Sequence, residues 1–146
     1  MLSRAPRAVI GAALALLSCG HPTDRRVYLN VGTLCLRPAG NTLHAEVKLL
    51  ECLSSACNKQ VAGACSIALE EHKISVSSRL VVEANGAAIC ATDCGSWIVR
   101  CELPQPASGA YTVAFGPTSA PLRMPLTSDT ELVADGTTRG CSPLEL

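Results

Sequence analysis

Apolar and polar residues alternate with a period of two over much of the chain, most regularly between residues 43 and 49. Four aliphatic side chains in this segment are separated by His44, Glu46 and Lys48. Because successive side chains of a β-strand point to opposite faces, the segment is predicted to be a strand with one buried and one solvated face. His44 and Glu46 are expected on the solvated face.

The same alternation predicts a first strand at residues 27–31, with Val27, Leu29 and Val31 towards the core. Comparable segments follow at residues 65–70, 74–83, 97–103, 111–115, 122–126 and 131–134. Pro121 and Pro125 lie just before and within the segment at residues 122–126. They favour a strand at the edge of a sheet, because proline has no backbone N–H group to donate to a neighbouring strand.

Two kinds of connection separate these segments. Residues 52–64 and 90–95 combine cysteines with small or polar side chains and are predicted to be loops held by disulfides. Asn85-Gly86 is a strong hairpin signal, and a strand is predicted after it from Ala87 to Cys90. No stretch shows a convincing helical period of 3.6 residues. Seven to nine short strands with frequent turns predict an all-β fold, a small antiparallel β-sandwich of two packed sheets.

The segment from Pro104 to Phe115, with Tyr111-x-Val113 and a following Gly116, resembles the late hairpin of immunoglobulin-like modules in exported bacterial proteins. This resemblance implies an Ig-like form of the sandwich. The Cys-Trp-Cys spacing of antibody-type domains is not present in the sequence.

The N-terminus has the features of an export signal. Residues 1–8 carry Arg4 and Arg7 and no acidic residue, and residues 9–17 form an uninterrupted apolar run. A positive start, a short apolar centre and small residues at its end are typical of a secretory signal. The run is too short for a membrane span, which takes about 20 residues of helix. Removing the 18 signal residues from the 146 leaves 128, the length of one domain.

The end of the run, Leu16-Leu17-Ser18-Cys19, resembles the lipobox of bacterial lipoproteins. In that family the cysteine thiol receives a diacylglycerol, the chain is cut just before it, and the new amine is often acylated. The resemblance implies cleavage between Ser18 and Cys19, lipidation of Cys19 and attachment to the cell envelope. Leu17 departs from the pattern, which more often has a small residue at that position. Gly20 is similar to members that are sorted to the outer membrane.

An ordinary signal cleavage is the alternative. Ser18 and Gly20 could serve as the small residues before a cut, and a soluble secreted protein would then begin at His21.

Nine cysteines are present, and either cleavage leaves an even number for pairing. The eight disulfide candidates are Cys35, Cys52, Cys57, Cys65, Cys90, Cys94, Cys101 and Cys141. Exported domains favour full pairing, so four disulfides are predicted, with their connectivity left open. The closest pairs, Cys52/Cys57 and Cys90/Cys94, do not form the paired Cys-x-x-Cys arrangement of many structural zinc sites or of thioredoxin-like proteins.

Composition narrows the function classes. Two of the 12 basic residues, Arg4 and Arg7, lie in the signal, so the remaining chain carries 10 basic and 12 acidic residues. Such a chain lacks the clustered positive charge that nucleic-acid binding requires. Aromatic residues make up only 3% of the chain, and Trp97 is predicted to lie in a thin core that the disulfides reinforce.

Candidate catalytic residues are few. No nucleophile elbow, phosphate loop or dinucleotide fingerprint is present, and no catalytic residue, metal ligand or cofactor is predicted. An enzyme whose site is not visible as a motif stays an alternative, which would require two of His44, His72 and Asp93 to meet in one pocket.

The expected organisation is a signal peptide at 1–18, a lipidated cysteine with a short tether at 19–26 and a β-sandwich at 27–146. The expected function is that of an envelope lipoprotein acting as a non-enzymatic binding or structural module. Its expected partners are the membrane, through the lipid anchor, and a protein or glycan, but no nucleic acid.

Overall fold

The computed structural model describes residues 24–86 and 89–142. The predicted signal peptide, Ser18 and Cys19 therefore lie outside the described residues. The ten strands are β1 (Arg25–Leu29), β2 (Thr33–Ala39), β3 (Thr42–Lys48), β4 (Asn58–Glu70), β5 (Lys73–Ala84), β6 (Ile98–Pro104), β7 (Gly109–Phe115), β8 (Thr118–Met124), β9 (Thr130–Leu132) and β10 (Thr138–Gly140). No helix long and apolar enough to cross a membrane occurs in this part of the chain. The predicted all-β class and sandwich architecture are confirmed.

Sheet A is built around the long strand β5. Along one side β4 pairs with it antiparallel over its whole length, from Asn58 opposite Ala84 to Glu70 opposite Lys73. On its other side, β1 pairs antiparallel with the C-terminal half of β5, and β7 pairs parallel with its N-terminal half. The hairpin partner of β7 is β8, which ends the sheet as the edge strand that its prolines predicted. The parallel β5–β7 pair departs from the predicted purely antiparallel arrangement.

Sheet B has the order β10-β9-β2-β3-β6, and every pair in it is antiparallel. Its strands are short: three have seven residues, and β9 and β10 have only three. The predicted strand at residues 131–134 corresponds to β9, displaced by one residue at its start.

The core lies between the two sheets and is filled by the alternate side chains of their strands. Leu43, Ala45 and Val47 of β3 are buried, as their alternation predicted, and Trp97 is buried in the same cluster. The other members are aliphatic side chains with Tyr111, Phe115 and Met124. The inner faces of both sheets are therefore continuous apolar surfaces, and the remaining chemistry lies on the outer faces and in the loops.

All eight cysteines of the described chain are joined in four disulfides, which confirms the predicted full pairing. The pairs are Cys35–Cys141, Cys52–Cys94, Cys57–Cys90 and Cys65–Cys101. The last pair joins β4 of sheet A to β6 of sheet B, so it holds one edge of the sandwich closed. Cys141 attaches the C-terminal segment to β2.

The predicted orientation of the first strand is wrong. Val27, Leu29 and Val31 are exposed, whereas Tyr28 packs against the core. Tyr28 lies opposite Leu80 in the register of β1 and β5, and Leu80 faces the core. The alternation distinguishes the two faces of the strand, but the pairing with β5 decides which face points inward.

Two further predictions need correction. The predicted loop at residues 52–64 ends at Cys57, because β4 already begins at Asn58. Its Ala, Gly and Ser residues do not break the strand, since β5 pairs with it throughout. The strand predicted from Ala87 to Cys90 falls partly outside the described residues, and Ile89 and Cys90 are not in a strand.

Candidate functional site

A row of charged residues crosses the outer face of sheet B perpendicular to its strands. The strand registers place Arg139, Glu131, Cys35, Glu46 and Arg100 side by side on β10, β9, β2, β3 and β6. This charged row is symmetrical in its chemistry, because a carboxylate and then a guanidinium follow on each side of the central cysteine. Cross-strand neighbours on one face lie close enough to interact directly.

Both carboxylates of the charged row are buried, each against a guanidinium. Glu46 accepts a hydrogen bond of 2.8 Å from Arg100 Nε, and its side chain is only 8% exposed. Glu131 accepts one of 2.7 Å from Arg139, and its side chain is 7% exposed. The hydrogen bond and the charge of Glu131 raise the pKa of Arg139 above its ordinary value. The burial of each carboxylate is tolerable because a charge-assisted hydrogen bond replaces its water.

Arg37 adds a third guanidinium next to the charged row. Its guanidinium lies 3.8 Å from the Glu46 carboxylate and also contacts Asp129 in an ion pair. Its Nε is buried and has no hydrogen-bond partner within residues 24–86 and 89–142. This side chain therefore has hydrogen-bonding capacity that its protein neighbours do not use.

A cavity of about 420 Å³ opens over the charged row. It is lined by Arg37, Glu46, Glu131 and Arg139, by Lys48, Leu50, Phe115 and Leu132, and by the Cys35–Cys141 disulfide with neighbouring residues. The disulfide holds the C-terminal segment across this face, so the segment forms one wall of the cavity. Ligand pockets commonly occupy about 300–1,000 Å³ and combine apolar walls with a few fixed polar groups.

The chemistry available in this cavity is that of recognition. Guanidinium and ammonium groups donate hydrogen bonds to carboxylates, phosphates and sugar hydroxyls, and carboxylates accept them from amines and hydroxyls. The described lining residues include hydroxyl groups of Thr33, Thr118 and Ser142 but no histidine. No group of three or more metal-ligating side chains was found in the described part of the chain.

A second feature is a pair of cystine-linked loops, residues 49–57 and 89–97, which continue β3 and β6 beyond sheet B. Leu49 N donates to Trp97 O, and Gly95 N donates to Leu53 O, at 3.0 and 2.8 Å. Both loop disulfides, Cys52–Cys94 and Cys57–Cys90, run between these two segments. The predicted cysteine-bearing loops are therefore one cross-linked unit.

Asp93 stabilises the cystine-linked loops from within. Its carboxylate accepts hydrogen bonds from the Ser54 hydroxyl at 2.9 Å, from the Ser55 amide at 3.2 Å and from the Ser55 hydroxyl. These hydrogen bonds, Ser55's first and then Ser54's, lower the pKa of Asp93 below its ordinary value. A carboxylate that accepts several hydrogen bonds is favoured in its charged form. Asp93 thus has a structural role in joining the two loops.

The three residues that the sequence offered for an enzyme site lie in different places. His44 is on the outer face of β3 beside Glu102, at 3.4 Å, and His72 is in the turn between β4 and β5, where its ring packs edge-on against Tyr111. Asp93 is in the cystine-linked loops. None of the three lines the cavity over the charged row.

The sequence missed the residues that make the cavity. Glu46 was expected on a solvated face, but it is buried, with the guanidinium groups of Arg37 and Arg100 against its carboxylate. Alternation placed Glu46 on the correct face. What it could not show is that β9 and β10, 84 or more residues further along the chain, carry Glu131 and Arg139 to the same face.

Comparisons with known proteins identified no relative of this chain. No protein-family model, no curated protein and no solved structure matches this chain.

Proposed function

We propose that this protein is an exported envelope lipoprotein, anchored by acyl chains on Cys19, whose β-sandwich acts as a non-enzymatic binding module. The observation that carries the proposal is the pairing of the other eight cysteines with one another. Four disulfides are consistent with an oxidising, extracytoplasmic compartment. Because these eight cysteines pair with one another, lipidation of Cys19 would leave no cysteine of the described residues without a partner.

The lipid anchor is tested by fractionation and intact mass. In the parent, the mass of the mature protein should equal residues 19–146 plus diacylglycerol and an amide-linked acyl chain, and the protein should be in the membrane fraction. Two or more acyl chains are needed for stable anchoring. Cys19→Ala should lose the lipid mass and leave the membrane. A Cys35→Ala/Cys141→Ala variant is the control, because it removes two other cysteines and should keep the lipid. A parent mass that begins at His21 would instead establish a soluble secreted protein.

Binding is assigned to the cavity over the charged row. Its support is the lining itself, where Arg37 lies beside two carboxylates that Arg100 and Arg139 hold in place. The lining combines apolar side chains with fixed charged groups, so a partner that presents both apolar surface and hydrogen-bonding groups, a protein or a glycan, fits it.

A charge reversal on each face tests this assignment. Arg139→Glu would place a second carboxylate beside Glu131, whereas Arg79→Glu makes the same change on the exposed outer face of sheet A. Envelope components that co-purify with the lipidated parent should be lost with Arg139→Glu and kept with Arg79→Glu. Equal recovery with both variants would show that the cavity is not the binding surface.

A further inference from the structure

The end of the sandwich that carries Asp24 is where the proposed lipid anchor joins the folded domain. Asp24 lies five positions after Cys19, and an extended chain spans at most about 3.6 Å per residue, so Asp24 is within about 18 Å of the acylated cysteine. This inference rests on the proposed lipidation of Cys19. It concerns which surface of the domain then meets the lipid bilayer.

One chain segment next to Asp24 carries Ile89. Ala84 N donates a hydrogen bond of 2.9 Å to Asp24 O, and Asn85 N donates one of 2.8 Å to Cys57 O. Cys57 is disulfide-bonded to Cys90, the residue after Ile89. The hydrogen bond from Asn85 to Cys57 and the Cys57–Cys90 disulfide therefore hold the segment that carries Ile89 near the exit of the tether.

A second segment brings Leu50 to the same end. The Arg26 guanidinium lies 3.2 Å from the Asp24 carboxylate and 3.2 Å from the Glu51 carboxylate. Glu51 follows Leu50 directly, and both lie in the first of the cystine-linked loops, residues 49–57. The segment that carries Ile89 and the segment that carries Leu50 therefore both lie beside Asp24, where the tether joins the domain.

Ile89 and Leu50 are the two most exposed large apolar side chains of the described residues, at 86% and 73%. Single exposed apolar residues are common on soluble domains, but these two share one end of the molecule and belong to a cross-linked unit. The cystine-linked loops have two disulfides and the Asp93 hydrogen bonds to fix them. Apolar side chains on such a fixed support lose little conformational freedom on contact with a partner.

The charges of this end are paired with one another. Arg26 lies between Asp24 and Glu51, and Arg25 and Lys59 lie opposite Glu83 on either side of it. Because the local charge is close to balanced, electrostatic attraction to anionic headgroups is not the main contribution. The surface fits the apolar part of a lipid interface.

We propose that the Asp24 end rests on the bilayer that holds the anchor, with Ile89 and Leu50 inserted into the lipid interface. The sandwich then stands away from the membrane along its strands. Ala84 lies ten positions after Ile74 on β5, which corresponds to roughly 33 Å at 3.3 Å per residue. Leu69, which pairs with Ile74, is an exposed apolar residue at the opposite end and provides a matched control.

The test uses the full-length lipidated protein in phosphatidylcholine vesicles with and without brominated acyl chains. Ile89→Trp, Leu50→Trp and Leu69→Trp each add one tryptophan to a chain that has only Trp97, whose emission in the parent is the baseline. The added emission of Ile89→Trp and Leu50→Trp should be strongly quenched by the brominated lipid, since interfacial side chains lie about 5–10 Å into the headgroup and acyl boundary. The added emission of Leu69→Trp should be unchanged, and raised salt should change none of these results.

The outcomes separate this inference from the proposed function. Intact mass is measured first on every variant, and absence of the acyl chains would overturn the anchor and this orientation together. If the acyl chains are present and Ile89→Trp and Leu50→Trp are quenched no more than Leu69→Trp, the anchor stands and the membrane contact is wrong. Quenching of all three would show that the domain lies flat on the bilayer, which also contradicts the proposed orientation. Two test positions are used so that a folding defect in one, seen as free thiols, leaves the other decisive.

Discussion

The two sheets of this sandwich are stabilised in different ways. Sheet A contains the two longest strands, β4 with 13 residues and β5 with 12, paired along their whole length, and no disulfide joins two of its strands. Sheet B has strands of seven and three residues, and its strands and loop extensions hold three of the four disulfides and both buried carboxylates. Cross-links and buried ion pairs are concentrated where the hydrogen-bonded strands are short.

The outer faces show the same contrast. On sheet A the outer face presents small side chains such as Ala64, Ser66 and Ser77, and most of it is exposed. On sheet B the Cys35–Cys141 disulfide brings Cys141 and Ser142 to the outer face, where they line a cavity beside the charged row. The cavity makes this face the more specific surface, and it is therefore the one proposed for binding.

The largest expected effect is the loss of the Cys35–Cys141 disulfide, which spans 106 residues. A Cys35→Ala/Cys141→Ala variant should lose about 2–5 kcal/mol of unfolding free energy, measured by chemical denaturation. Amide hydrogen exchange should speed up most at residues 130–140, because β9 and β10 are short and depend on this link. The long ladder of β4 and β5 should remain protected until global unfolding.

A second disulfide variant sharpens that comparison. Cys57→Ala/Cys90→Ala opens a loop of only 33 residues, and the chain-entropy relation makes its cost smaller by about 1 kcal/mol. Its faster exchange should be confined to the cystine-linked loops. If the two variants expose the same amides, the disulfides do not act locally and the contrast between the sheets is mistaken.

An intermediate effect is expected from the buried carboxylate of β3. Glu46→Ala should lower the unfolding free energy by about 1–3 kcal/mol, because it removes a charge-assisted hydrogen bond from Arg100 and leaves Arg37 with one carboxylate fewer. Ser77→Ala, on the exposed outer face of sheet A, should change it by no more than about 0.5 kcal/mol. Thermal unfolding of both variants under the same buffer conditions checks the difference. Equal losses would mean that the two outer faces contribute alike.

The part of this contrast that the sequence could predict is local. The alternation in residues 43–49 predicted the inner face of β3, and the cysteine count predicted four disulfides. The strand pairing could not be predicted, because register depends on contacts between residues far apart in the chain. Tyr28 rather than Val27 faces the core for this reason, and Glu46 meets Glu131 across β2 for the same reason.

The cavity and the end that carries Ile89 and Leu50 were beyond sequence analysis because each is assembled from distant segments. Arg37 and Arg139 share a cavity, although 102 positions separate them, since β2 pairs with β9 and β9 with β10. Ile89 lies near Asp24 only because Cys57 pairs with Cys90 among the many possible connectivities.

The smallest expected effect is an acid-dependent change in the cystine-linked loops, the extension of sheet B. Hydrogen bonds from Ser55 and Ser54 lower the pKa of Asp93 below its ordinary value of 3.8. A carboxylate whose pKa is lowered in the folded state stabilises the fold at pH values above its unfolded pKa. This stabilisation is lost as the pH falls through the lower pKa of the folded state. The melting temperature of the parent should therefore exceed that of Asp93→Asn by a constant amount at neutral pH, and the difference should close below pH 3.8. Ser55→Ala removes the hydroxyl donor and keeps the amide of residue 55, the Ser54 hydroxyl and the carboxylate, so its pH profile should lie between those of the parent and Asp93→Asn. If parent and Ser55→Ala show the same acid profile, the hydrogen bond from the Ser55 hydroxyl does not contribute to holding the loops together.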